Sequence, residues 1–99
     1  MKFGIDDAQF KILENLVIKP LKKNGADVYI FGSRTGENFH SHSDVDLLFC
    51  TKSPIEESIL SEIKENIENS NFPFTVDLVD AENLAQSYKD HVFKTRVQL

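Results

Sequence analysis

The stretch FGSRTGENFHSHSDVDLLFC, residues 31–50, decides how the rest of this chain is read. Residues 28–31 (VYIF) form a short apolar strand that runs into Gly32-Ser33-Arg34. Ten residues separate Ser33 from Asp44, and Asp44-Val45-Asp46 opens a second apolar strand, residues 45–50. Side chains alternate faces along a strand, so Asp44 and Asp46 point the same way, with Cα atoms roughly 6.5 Å apart. Val45, Leu47 and Phe49 point the other way, into a core.

Two carboxylates on one strand face are electrostatically awkward. At about 4 Å and an effective dielectric near 20, two like charges repel by roughly 4 kcal/mol. A solvated turn tolerates such a pair; elsewhere it protonates, splays apart or takes up a divalent cation. Oxygen-only ligands suit a hard ion, Mg²⁺ or Mn²⁺, and with it a phosphate-bearing substrate. The upstream Gly32-Ser33 fits that chemistry. A Gly-Ser pair between a strand and a helical turn offers backbone N–H groups and a hydroxyl to an anion, and glycine lets a phosphate approach where a Cβ would block it. It is not a Walker loop, because no Gly-Lys-Ser/Thr follows.

Working outward, Asp6-Asp7-Ala8-Gln9 reads as a capping box, and Phe10, Leu13, Leu16, Val17 and Leu21 follow the helical period. Pro20 predicts a kink or restart, and Asn24-Gly25 the stop. The segment between the first two strands is short for a parallel crossover, so antiparallel pairing is expected. Ser53-Pro54-Ile55-Glu56 reads as a helix start, followed by Ile59, Ile63 and Ile67 at four-residue spacing, with Asn69 to Asn71 ending the helix. Residues 74–79 form a third strand. Asp80 caps a short helix over residues 81–87, and residues 88–97 form a last helix or a helix and tail. The expected fold is one α/β (α+β) domain over residues 1–99, a small mixed sheet with helices packed on one face.

Asp77 sits mid-strand in an apolar run, where an unpaired buried carboxylate is costly. If the third strand lies beside the second, Asp77 joins Asp44 and Asp46; if the strand is an edge, it faces water. Asp80 is the rival third acid, better suited to capping. His40 and His42 read as solvated loop residues and His91 as too remote to join them. The single cysteine, Cys50, reads as core filler.

Net charge is −5 in a chain 27% charged and 40% hydrophobic. That balance suits a folded domain and argues against holding a long polynucleotide by its backbone. No apolar run approaches the ~20 residues of a membrane span, and the N-terminus lacks a signal-type apolar region, so a cytoplasmic setting is expected.

Gly-Ser, ten residues, Asp-Val-Asp opening a strand, then VDLVD after the next helix: these elements in this order resemble the minimal nucleotidyltransferases of the DNA polymerase beta superfamily. The resemblance implies a palm-like core in which Gly32 and Ser33 hold a nucleoside triphosphate; Arg34, next to them, either adds charge to that nucleotide site or faces solvent. It implies two Mg²⁺ ions on Asp44, Asp46 and Asp77, with Asp77 completing the site as general base. NFPFTVDLVDAENL is similar to members paired with a HEPN-domain protein, which implies an antitoxin that adenylylates its toxin partner. Ninety-nine residues leave little room for a separate acceptor-binding domain, so a partner is expected to supply specificity. The reading from a different class is a non-catalytic antitoxin that only masks its partner. Haloacid-dehalogenase and glycosyltransferase uses of a DxD fit less well, since here the apolar run follows the acids and the chain is small.

Overall fold

In the computed structural model, residues 3–36 and 43–99 are described; His40 and His42 lie outside them. Helix α1 (Asp7–Leu13) starts at the expected capping box: the Gln9 N–H donates to Asp6 Oδ1 at 2.7 Å, and the Asp6 N–H to Gln9 Oε1 at 3.1 Å. The ladder then widens into a π-helical turn (Glu14–Ile18), where the Lys19 N–H reaches back to the Glu14 carbonyl. Helix α2 (Lys19–Lys23) follows, with Pro20 in its first turn. The expected irregularity therefore falls just before the proline, whose ring and missing N–H a regular α turn would not accommodate. The extra residue shifts the apolar stripe, so that Ile18 joins Leu13, Val17 and Leu21 in the core. Gly25, at φ +87°, ends α2; its N–H donates to the Lys22 carbonyl and that of Ala26 to the Leu21 carbonyl. This is a Schellman arrangement.

Four strands make one mixed sheet in the order β3-β2-β1-β4. Strand β1 (Asp27–Phe31) pairs antiparallel with β2 (Val45–Cys50), as expected from the short connection. Helix α3 (Glu57–Glu68) carries the chain across to β3 (Val76–Asp80), which lies parallel to β2. The face bearing Val28, Ile30, Val45, Leu47 and Phe49 is the main core; α1, α2 and α3 cover it, the last through Ile63 and Ile67. On the opposite face Phe31, Leu48 and Ala81 form a smaller cluster with Val92 of α4 (Gln86–Thr95).

Three expectations on elements need correction. Helix α3 starts at Glu57 rather than beside Pro54: the Thr51 hydroxyl holds the Ser53 carbonyl in a turn, and Glu56 stands extended at the cap. Asp80 caps only one 3₁₀ turn (Ala81–Asn83), not a helix running to residue 87. After α4 the chain turns back as a two-residue strand β4 (Val97–Gln98) on the free edge of β1. No helix among the described residues is long and apolar enough to cross a membrane.

Candidate functional site

Phe31 ends β1 in an extended conformation, and Gly32 turns the chain at φ +82°, a region that L side chains avoid. Residues Gly32–Thr35 then make one 3₁₀ turn, closed by the Thr35 hydroxyl on the Gly32 carbonyl at 2.7 Å. Glycine is demanded twice here. A Cβ at position 32 would stand 2.5 Å from Asp46 Oδ2 and 3.3 Å from its Cγ, so the Asp46 carboxylate occupies the space a side chain would fill. The Gly-Ser turn and Asp46 are thus in direct contact. Ser33 is exposed on this turn.

Asp46 and Asp77 are register partners on the adjacent parallel strands β2 and β3. Partners in a parallel ladder project to the same face, and neighbouring strands lie about 4.8 Å apart. Val76 and Leu78 pack on the main core while Val79 joins the smaller cluster, which puts Asp77 on the face shared with Asp46. Asp44 is exposed, just ahead of β2, and the Val45 N–H bonds to the Thr75 carbonyl at 2.8 Å. Burial, then the charges of Asp77 and Asp44, raise the Asp46 pKa, with Arg34 opposing. Asp46 therefore lies within the electrostatic reach of both other acids.

Asp80 is not the third acid. Its Oδ1 accepts from the Glu82 N–H at 3.0 Å, and its position in β3 alternates with that of Asp77. Among the described residues no three acid, histidine or cysteine side chains are already drawn into a tight metal cage. The donor chemistry fits a divalent ion all the same: hard oxygens on one face, with mutual repulsion that a cation relieves.

Arg34 differs from its expected place in an open nucleotide contact. Its side chain is 1% exposed. Nε and Nη2 donate to the Ser43 carbonyl at 2.9 and 2.6 Å, and Nη1 donates to the Phe3 carbonyl at 2.9 Å. A guanidinium so engaged inside the protein is not presented to a phosphate in solvent.

Residues that the sequence did not connect also meet here. Tyr88, His91 and Thr95 of α4 line, with Gly32 and Ser33, a cavity of about 230 Å³. The helical spacing of 88, 91, 92 and 95 was the available signal, but it shows one helix face without showing what that face meets.

The family of polymerase beta nucleotidyltransferases matches residues 15–99. A probable protein adenylyltransferase MntA of Haemophilus influenzae is 29% identical over 70 residues, covering 71% of this chain and 61% of that protein. The chain thus spans about three fifths of that relative's length. A crystal structure of a toxin–antitoxin with AMP-PNP superposes with a TM-score of 0.66 at 26% identity, over 86% of this chain and 70% of that one. A tri-AMPylated Shewanella oneidensis HEPN toxin in complex with MNT antitoxin shares the fold, at a TM-score of 0.59 and 22% identity over 89% of this chain and 69% of that one.

Proposed function

The chain belongs to the polymerase beta nucleotidyltransferase family, and from that premise we propose that it transfers AMP from ATP to a hydroxyl on a partner protein. The observation that carries this reading is the in-register pair Asp46 and Asp77, with Gly32 pressed against the Asp46 carboxylate. The relative named an adenylyltransferase and the neighbour holding AMP-PNP support the choice of an adenine nucleotide. The partner we propose is a toxin of the HEPN type, with this chain as its antitoxin and the cytoplasm as its setting. The toxin–antitoxin neighbour supports the pairing, and the sequence resemblance supports the HEPN identity.

Asp44, Asp46 and Asp77 would hold Mg²⁺, two ions in the full reading, with Mn²⁺ able to substitute. Bound there, the metal supplies positive charge for the α-phosphate and for the leaving oxygens. The chain's own residues do the rest. Gly32 lets the triphosphate lie close to the backbone, and the Ser33 hydroxyl donates to the departing phosphates. Asp77, exposed on the outer strand, accepts the acceptor's proton as its oxygen bonds to the α-phosphorus. The bond between α-phosphorus and the bridging oxygen breaks, and pyrophosphate leaves.

A second reading, a subunit that masks its partner without catalysis, draws on the exposed Tyr88, Phe93 and Val97. One experiment separates the two. The chain is incubated with each labelled nucleoside triphosphate, Mg²⁺ and the neighbouring gene's product, and both proteins are weighed by mass spectrometry. AMP on the partner, lost in Asp44→Asn and Asp46→Asn while the complex still forms, supports transfer. Variants that neutralise the partner as well as the unmodified chain does would favour masking.

A further inference from the structure

We propose that Arg34 is a positioning residue: its buried guanidinium clamps the Ser43 carbonyl and so fixes where Asp44 stands relative to Asp46 and Gly32. The purpose assigned to that placement rests on the metal-site reading above; the clamp itself rests on geometry.

Asp44 lies outside the β2 ladder, so its position needs another source. Two donors along one edge of the Arg34 fork, Nε and Nη2, converge on the carbonyl of the residue before it. On the other side, the N–H of the residue after it bonds to the Thr75 carbonyl. Asp44 is thereby held from both flanks. Phe74, the neighbour of Thr75, lies beneath the guanidinium, with Cζ 4.1 Å from the ring centroid. One side chain therefore joins the Gly-Ser turn to the segments leading into β2 and β3.

The clamp reaches further. Nη1 holds the carbonyl of Phe3, whose φ of +56° is uncommon for a bulky residue and persists where surrounding bonds over-determine it. Burial disfavours the charged guanidinium, while the charges of Asp44 and Asp46 favour it. Lysine would keep the charge but lacks the planar fork that reaches two carbonyls and lies flat on a ring. An arginine serving only the core would have no reason to bind the residue adjoining an acid of the site.

The test is amide exchange, by NMR, on the metal-free unmodified chain and on Arg34→Lys. The Val45 amide is expected to exchange about tenfold faster or more in the variant, while those of Leu47 and Leu48 stay within about twofold. A purely structural role would speed all three alike, and Val45 keeping its ratio to Leu48 would overturn the proposal. Melting curves with Mn²⁺ add a second readout. Half-saturation is expected to rise about fivefold or more in Arg34→Lys, and the substitution is expected to add nothing in an Asp44→Asn background. Unchanged half-saturation in Arg34→Lys also overturns it. If the unmodified chain shows no Mn²⁺ response, selective Val45 exchange still supports the clamp, and it is the metal reading that fails. Should Arg34→Lys not fold, Phe74→Leu carries the same exchange test, with a smaller selective effect expected at Val45 and no effect overturning the proposal.

Discussion

Gly32 carries two constraints that can be measured apart from each other. Gly32→Ala places a side chain in the left-handed region, at about 1–2 kcal/mol, and drives a methyl into the Asp46 carboxylate. We expect a fall in stability larger than that backbone cost alone, together with loss of nucleotide transfer in the labelled assay. Asp46 makes a prediction of the opposite sign. Its folded pKa lies above the ordinary 3.8, so between those two values the folded chain binds more proton than the unfolded one. Stability therefore falls as pH rises through that interval, and the penalty is fully present at neutral pH. Without metal, Asp46→Asn should melt higher than the unmodified chain at pH 7, and its advantage should vanish below about pH 3.8. Melting curves across pH check this, and an unchanged or lower melting temperature at pH 7 would count against the crowding.

At the scale of elements, Gly25 isolates the backbone part of the glycine effect. It has nearly the same φ as Gly32, yet a Cβ there would meet nothing within 4 Å. Gly25→Ala should therefore cost about 1 kcal/mol through conformation alone and leave nucleotide transfer unaffected, in the same melt and the same assay. The Gly25 stop was legible in the sequence because a Schellman turn is closed by bonds between near neighbours. So was the capping box at Asp6. The start of α3 was misread for the converse reason. Ser53-Pro54 has the local chemistry of a helix start, but the Thr51 hydroxyl uses the Ser53 carbonyl first. Strand β4 was not legible at all. Its two residues pair with the edge of β1 from the far end of the chain, and two residues carry no period.

Over the whole molecule, the parallel docking of β3 on β2 is what brings Asp77 alongside Asp46. The sequence placed Asp77 in a strand and on the right face; it could not say which strand would lie alongside. Arg34 was harder still, since its charge pointed toward solvent or a phosphate and only the packed structure shows the carbonyls it reaches. If the acids share a cation, Mg²⁺ should raise the melting temperature of the unmodified chain and do so less in Asp46→Asn. Equal shifts in the two proteins would argue against a shared ion. One further consequence comes from the order of the sheet. Asp77 rides on an outermost strand, gripped along a single flank, whereas Asp46 is seated between two neighbours. Warming should loosen that rim first, so the protein would fall silent while most of its scaffold was still intact.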